Sequence, residues 1–171
     1  EADTSRDADR FVVGYDNRSL DIVHWGRCIN QMGPHGMDGD KHGFSRALEK
    51  MLVLSGSDKE SVSADTPVTG RFGLGFKTAF LVTDSPRILS GRLAFRVVGG
   101  VYPEILHADE RSALEDVARA ASAASTQPSS ATVLRLPVKD EDVAWRAVDR
   151  FRALTPMLVV FARSITRCVV P

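Results

Sequence analysis

The sequence predicts an α/β (α+β) fold, a two-layer sandwich of a mixed, largely antiparallel sheet with helices on one face. Three observations carry that prediction. Short β-prone runs, "RFVVGY" (10–15), "PRILSG" with "RLAFRVVGG" (86–100) and "TVLRLPV" (132–138), alternate with stretches of helical periodicity. Two of these runs meet at Ser90 and Gly91 as a hairpin does, and hairpins outnumber regular β-α-β units, which argues against a doubly wound parallel sheet. The chain has 171 residues, 43% of them apolar, enough for one domain with a real core and too few for two comfortable ones. A single domain over 1–171 is expected.

The elements follow in order. The opening "EADTSRDADR" is polar and acidic, and Arg10–Tyr15 then reads as a buried strand entering the turn-like "DNRS" (16–19). Ser19 suits an N-cap, and Ile22, Trp25 and Ile29 recur at helical spacing, predicting a helix over 20–31. "MGPHGMDGDKHG" (32–43) has four glycines, a proline and no periodicity, so it is read as a loop. "FSRALEKMLVL" (44–54) predicts a short helix, and a second polar loop, 55–70, leads to a glycine cluster. After it, Phe76, Ala79 and Phe80 predict a helix ending near Thr83 and Asp84, followed by the hairpin. "DERSALEDVARAASAAS" (109–125) is an amphipathic helix decaying into the Ala/Ser-rich loop 122–131, and 132–138 is a strand. The acid-rich start of "KDEDVAWRAVDRFRAL" (139–154) suits a helix N-terminus, and the apolar, β-prone stretch 155–171 closes the chain.

Composition excludes several classes of partner. Basic and acidic residues balance at 22 each, so no electrostatic footprint for nucleic acid or an anionic membrane exists and any anion site must be local. The longest apolar run, Met157 to Ala162, is far below spanning length, and the N-terminal residues contain no export-signal core, so the expected location is cytoplasmic. Cys28 and Cys168 lack any CxxC or Cys/His spacing and read as free core thiols. His35 and His42 flank glycines but lack a third ligand, so no metal site is assigned. His24 and His107 carry no partner pattern, and Trp25 and Trp145 sit at core spacing. Arginine outnumbers lysine and alanine is frequent, which points to a GC-rich bacterial genome.

The stretch with chemistry in it is "VTGRFGLGFKTAF" (68–80), where Gly70, Gly73 and Gly75 fall within six residues ahead of an apolar run. Gly70 and Gly75 have the spacing of a phosphate-binding loop, but Phe76 intervenes before Lys77 and Thr78. One inserted residue turns Lys77 by roughly 100° around a following α-helix, away from a phosphate. The dinucleotide fingerprint fails as well, because Thr78 stands where its third glycine belongs. Shared by both signatures is the physics of bare main-chain N–H groups ahead of a helix, an anion site. The competing reading is a tight turn that packs closely and binds nothing.

"GRFGLGFKTAFLVTDSPRILSG" (70–91) resembles the second glycine box of the GHKL nucleotide-binding superfamily of gyrase, heat-shock chaperones, histidine kinases and MutL. It is most similar to sacsin and its bacterial relatives. "FVVGYDNRSLDIVHWG" (11–26) resembles the strand and first glycine box, and "SSATVLRLPV" (129–138) the late "GT" strand, so the resemblance spans about Phe11 to Val138. It implies ATP or ADP as ligand. Asp16, or Tyr15 in the alternative register, would meet the adenine amino group with Asn17 beside it. Gly70, Arg71, Phe72, Gly73, Leu74, Gly75, Phe76 and Lys77 would surround the phosphates, and Thr132 would join the adenine-side hydrogen bonds. Residues 32–70 would form a lid over the nucleotide, with Ser57 and Lys59 on its phosphate side and Gly33, Gly36, Gly39 and Gly43 as hinges. Partners would be the nucleotide and other domains of a longer chain or client proteins.

The departures matter too. No DxGxG is present, Arg18 and Ser19 stand where glycines let the backbone approach the base, and Ala131 replaces a glycine before Thr132. The helix that in the family carries the water-activating glutamate and the magnesium-binding asparagine has at most "EADTS" to represent it. The expectation is either a piece of a longer chaperone-like ATPase, with Mg2+ and hydrolysis dependent on that helix, or nucleotide binding without hydrolysis. The reading of another class is a degenerate scaffold that binds proteins and no nucleotide.

Overall fold

The computed structural model describes residues 10–25, 28–29, 51–52, 76–122, 131–161, 165 and 167–170. Seven strands form one sheet: β1 (Arg10–Tyr15), β2 (Ser19–His24), β3 (Arg87–Ser90), β4 (Leu93–Val98), β5 (Tyr102–Ile105), β6 (Thr132–Pro137) and β7 (Arg167–Val169). Their order across the sheet is β5-β4-β3-β6-β2-β1-β7. Every neighbouring pair is antiparallel except β1 with β7. A six-residue 3-10 helix (Phe76–Leu81) and two α-helices, α1 (Ala108–Ala121) and α2 (Glu141–Phe161), complete the described elements. The class is α+β with a mixed, largely antiparallel sheet, as the hairpin pattern predicts.

Three elements differ from the sequence reading. The stretch predicted as a helix from residue 20 is strand β2, paired along its whole length to β1 and β6. Its apolar residues fit both periods, and the turn before it settles which one is used. Asp16 Oδ1 accepts hydrogen bonds from the main-chain N–H of Arg18 (3.0 Å) and Ser19 (2.7 Å) and from Ser19 Oγ (3.2 Å), while Asn17 takes the left-handed conformation at φ 66°. That is a hairpin turn, which sends the chain back along β1 and leaves no helix cap. Second, α2 does not stop at 154 but continues through Pro156 to Phe161, with Thr155 Oγ1 donating to the Phe151 carbonyl one turn back (2.9 Å). Third, β5 follows the turn of Gly99 (φ 59°) and Gly100 (φ 83°) as an exposed edge strand. The helix after the glycine cluster is 3-10 and closes at Ala79, whose carbonyl accepts from Val82 and Thr83 N–H.

Helices cover both faces of the sheet, where the sequence reading put them all on one. The reason lies in strands with two apolar faces: Val23 and Val133 point one way, Ile22 and Leu134 the other. Beneath α1, residues in matching register form two belts. The first is apolar, with Val12, Val23, Val133, Leu89 and Ala94 packed against Leu114 and Ala118, and Trp25 at its end. The second, two residues further along each strand, is ionic: Asp21, Arg135, Arg87, Arg96 and Glu104 in register order. Arg135 grips Asp21 bidentately at 2.8 Å and 2.8 Å, Arg96 bonds Glu104, and Glu110 of α1 reaches Arg87 (3.3 Å) and Arg96 (3.5 Å). The apolar belt supplies the buried surface on which α1 docks, and Glu110 ties the helix to the ionic belt.

Candidate functional site

The opposite face carries the 3-10 helix and α2, and between them and the sheet lies a cavity of about 400 Å³. Its sheet wall is Phe11, Ile22 and Leu134, and its cover includes Phe76, Thr78 and Phe151. Phe76 stands edge-on to Phe80 with ring centroids 6.0 Å apart. The lining is almost wholly apolar, suited to a planar or greasy group rather than to an ion.

One end of this apolar wall gives way to polar side chains. The register pairs Phe11 with His24, His24 with Thr132, and Thr132 with Ser90, so His24, Thr132 and Ser90 stand in a row across β2, β6 and β3. Directly opposed residues of antiparallel strands share a face with Cβ atoms about 5 Å apart. Alternation puts the row on the face of Ile22, Leu134 and Ile88, each two residues along from a row member. Ser90 and Thr132 are buried, their hydroxyls 2.8 Å apart, and Ser90 Oγ also accepts the Ile29 main-chain N–H at 2.9 Å. Two hydroxyl protons serve one bond between them, so whichever hydroxyl donates, the other keeps a proton for a third acceptor. Burial holds the His24 imidazole below its ordinary pKa, so at neutral pH the ring is uncharged, with one nitrogen donating and one accepting.

The positions that the resemblance implied fall in different places. Gly70, Arg71, Phe72, Gly73, Leu74 and Gly75 lie outside the described residues, as do His35, His42, Ser57 and Lys59 and the proposed lid 32–70 apart from Met51 and Leu52. Phe76 covers the cavity. Lys77 is turned elsewhere: its ammonium donates to the carbonyls of Leu52 (2.8 Å) and Gly100 (2.5 Å), and burial lowers its pKa. Asp16 and Asn17 are exposed in the β1–β2 turn. Ser19, beside that turn, pairs with Pro137, five residues along β6 from Thr132, so Asp16 and Thr132 are separated by roughly 17 Å at about 3.3 Å per residue. They are not brought together, since one base cannot bond both. Trp25 is buried as its spacing suggested, although on the α1 side, whereas Trp145 is half-exposed, beside Tyr15 and Arg152. Cys28 is buried and Cys168 half-buried, and neither is in a disulfide.

Sequence reasoning missed His24 and Ser90. The signal for His24 was available in the alternation of "SLDIVH", which as a strand puts Leu20, Ile22 and His24 on one face. Ser90 was read as a turn residue, and only pairing with β6 places it beside Thr132.

Asp16 has a structural task that can be measured. Partial burial acts to raise its pKa, but hydrogen bonds from Ser19 and Arg18 and the charge of Arg135 outweigh that and lower it. A lowered carboxyl contributes its stability fully above the unfolded value of about 3.9 and loses it as pH falls through the folded value. Asp16→Ala is expected to cost about 1 kcal/mol at pH 7. In urea titrations the gap between the variant and the parent should narrow as pH drops below about 4; a gap independent of pH would contradict the turn's dependence on the ionised carboxylate.

The chain matches no protein-family model, and no curated protein is significantly similar to it. Among the described residues no group of three or more His, Cys, Asp or Glu could hold a metal ion, and no helix is long and apolar enough to cross a membrane.

Proposed function

We propose that this chain is a nucleotide-binding domain of the GHKL type, close in kind to sacsin-like domains, taking ATP or ADP on the face covered by the 3-10 helix and α2. The observation that carries this reading is a convergence. The segment leaving the glycine cluster covers an apolar cavity whose sheet wall continues into the His24–Thr132–Ser90 row. A purine needs that combination, apolar walls for its faces and a few fixed polar groups for its edge. In this reading the glycines at 70, 73 and 75 supply main-chain amides to the phosphates, and residues 32–70 close over the ligand and pass its presence to a partner domain.

Titration calorimetry of the chain with ATP tests it. Binding is expected, weakened about tenfold or more by Thr132→Val, equivalent to about 1.4 kcal/mol, and abolished by the double change Gly73→Val, Gly75→Val. Melting curves separate lost binding from lost folding. Absence of heat and of any thermal shift with millimolar ATP would favour a second reading, a nucleotide-free scaffold acting through protein contacts. The engagement of Lys77 by two carbonyls and of Asp16 by its own turn favours that second reading.

A further inference from the structure

We propose that the cavity between the sheet and its cover of 3-10 helix and α2 is a binding site for a neutral, flat ring system, held by shape and apolar contact with no charged group inside it. The inference goes beyond the nucleotide reading, because it names what the space itself accepts and needs no phosphate, lid or glycine cluster. It starts from how the space arises. Val13, Ile22 and Leu134 stand directly opposite one another across β1, β2 and β6, and the pair Leu20 and Leu136 lies two residues away on the same face. All five line the cavity as an aliphatic floor. Against that floor α2 presents Val143, Ala147 and Phe151, about one helical turn apart, and the 3-10 helix presents Ala79. Both helices thus place a bare methyl group in the lining, where a leucine would fill the space from within the chain.

Size and lining decide the ligand class. An apolar cavity of about 150 Å³ holds one benzene ring, so one of about 400 Å³ has room for roughly two or three six-membered rings. The aromatic side chains favour flat occupants. Phe11 and Phe151 lie 5.8 Å apart between ring centroids, tilted by 34°, and Phe76 joins them from the 3-10 helix, so rings from three elements border the space. Among the described residues that line it, Thr78 is the one polar side chain, and it already has a partner. A water held in such a place needs about two to four polar partners, and a buried ion needs a counter-charge. The lining side chains supply neither, and a neutral ring system requires neither.

The test titrates two dyes into the 171-residue chain. One is N-phenyl-1-naphthylamine, a neutral aromatic amine that fluoresces in apolar surroundings; the other is 8-anilinonaphthalene-1-sulfonate, the same ring body carrying an anionic sulfonate. ATP is left out, so the outcome is separate from that of the nucleotide reading. The neutral dye is expected to bind one-to-one with a Kd of about 10 μM or tighter, in line with a ligand of its size, and the sulfonate about tenfold or more weakly. Ala147→Leu should keep or raise the melting temperature, because it fills space, and weaken binding of the neutral dye by about tenfold or more. Phe151→Leu, which removes a ring but stays apolar, should weaken it severalfold and carries the test if Ala147→Leu does not fold. Absence of saturable binding overturns the inference. So does a sulfonate bound as tightly as the neutral dye, or a neutral dye bound unchanged by a folded Ala147→Leu or Phe151→Leu. A dimer in sedimentation velocity that Ala147→Leu dissociates would assign the space to a second copy and overturn it as well.

Discussion

Replacing Trp25 with alanine is expected to cost about 3–5 kcal/mol, a large part of the about 5–15 kcal/mol that holds a domain folded. Trp25 is 1% exposed and ends the apolar belt beneath α1, in one cluster with Val23, Leu89, Leu114 and Val133. The guanidinium of Arg10 lies 5.6 Å from its ring centroid. Truncation leaves a void that a rigid sheet and helix cannot close, and for a chain of this size the melting temperature should fall by roughly 10–15 °C. Trp25→Phe separates packing from polarity. The indole Nε1 has no hydrogen-bond partner among the described residues, so phenylalanine strands no acceptor and should cost much less. Urea unfolding followed by circular dichroism decides the matter: an alanine variant within about 1 kcal/mol of the parent would mean that Trp25 is not in this core.

The second large effect is expected at Arg135, where leucine should cost about 2–3 kcal/mol. The guanidinium bridges both oxygens of Asp21 across β2 and β6, with the two side chains only 22% and 15% exposed. Hydrogen bonding to Asp21 raises the Arg135 pKa, so the guanidinium stays charged. Removing one partner leaves the Asp21 carboxylate half-desolvated and unpaired. The loss falls below the about 3–5 kcal/mol of a fully buried pair because water still reaches this one. The double variant Asp21→Leu, Arg135→Leu should recover most of the stability, since two apolar residues facing each other in a sheet need no solvation. If the double variant is as unstable as the single one, the cost comes from lost packing and not from a stranded charge. Both positions lie on the α1 face, away from the cavity walled by Ile22 and Leu134.

Much of the fold was legible where local chemistry and tertiary pairing agree. "RILSGRLAF" encodes its own hairpin, because Ser90 and Leu93 pair across a two-residue turn in which Gly91 takes φ 57°. "TVLRLP" alternates and becomes β6, and the acid-rich starts of α1 and α2 mark their N-termini as charge and dipole require. What failed was the assignment of period over 20–31. Ile22, Trp25 and Ile29 satisfy a helix, while Leu20, Ile22 and His24 satisfy a strand equally well. The choice was made by the Asp16 turn and by two neighbouring strands with unpaired hydrogen-bonding edges. Pairing of that kind is non-local and leaves no mark in a window of a dozen residues.

That one reassignment also moves the candidate site. As a strand, the segment after Ser19 carries the chain away from Asp16 and pairs His24 with Thr132. The amino-acid sequence by itself determined the α+β class, the hairpin, a glycine-rich segment feeding a short helix, and a balance of charge that confines any anion site to a local feature. Only the tertiary structure decided that helices lie on both sheet faces and that residues 24, 90 and 132 share one row. Side-chain chemistry is written residue by residue, but which chemistry meets which depends on strand order and register, and those are fixed by the whole sheet at once.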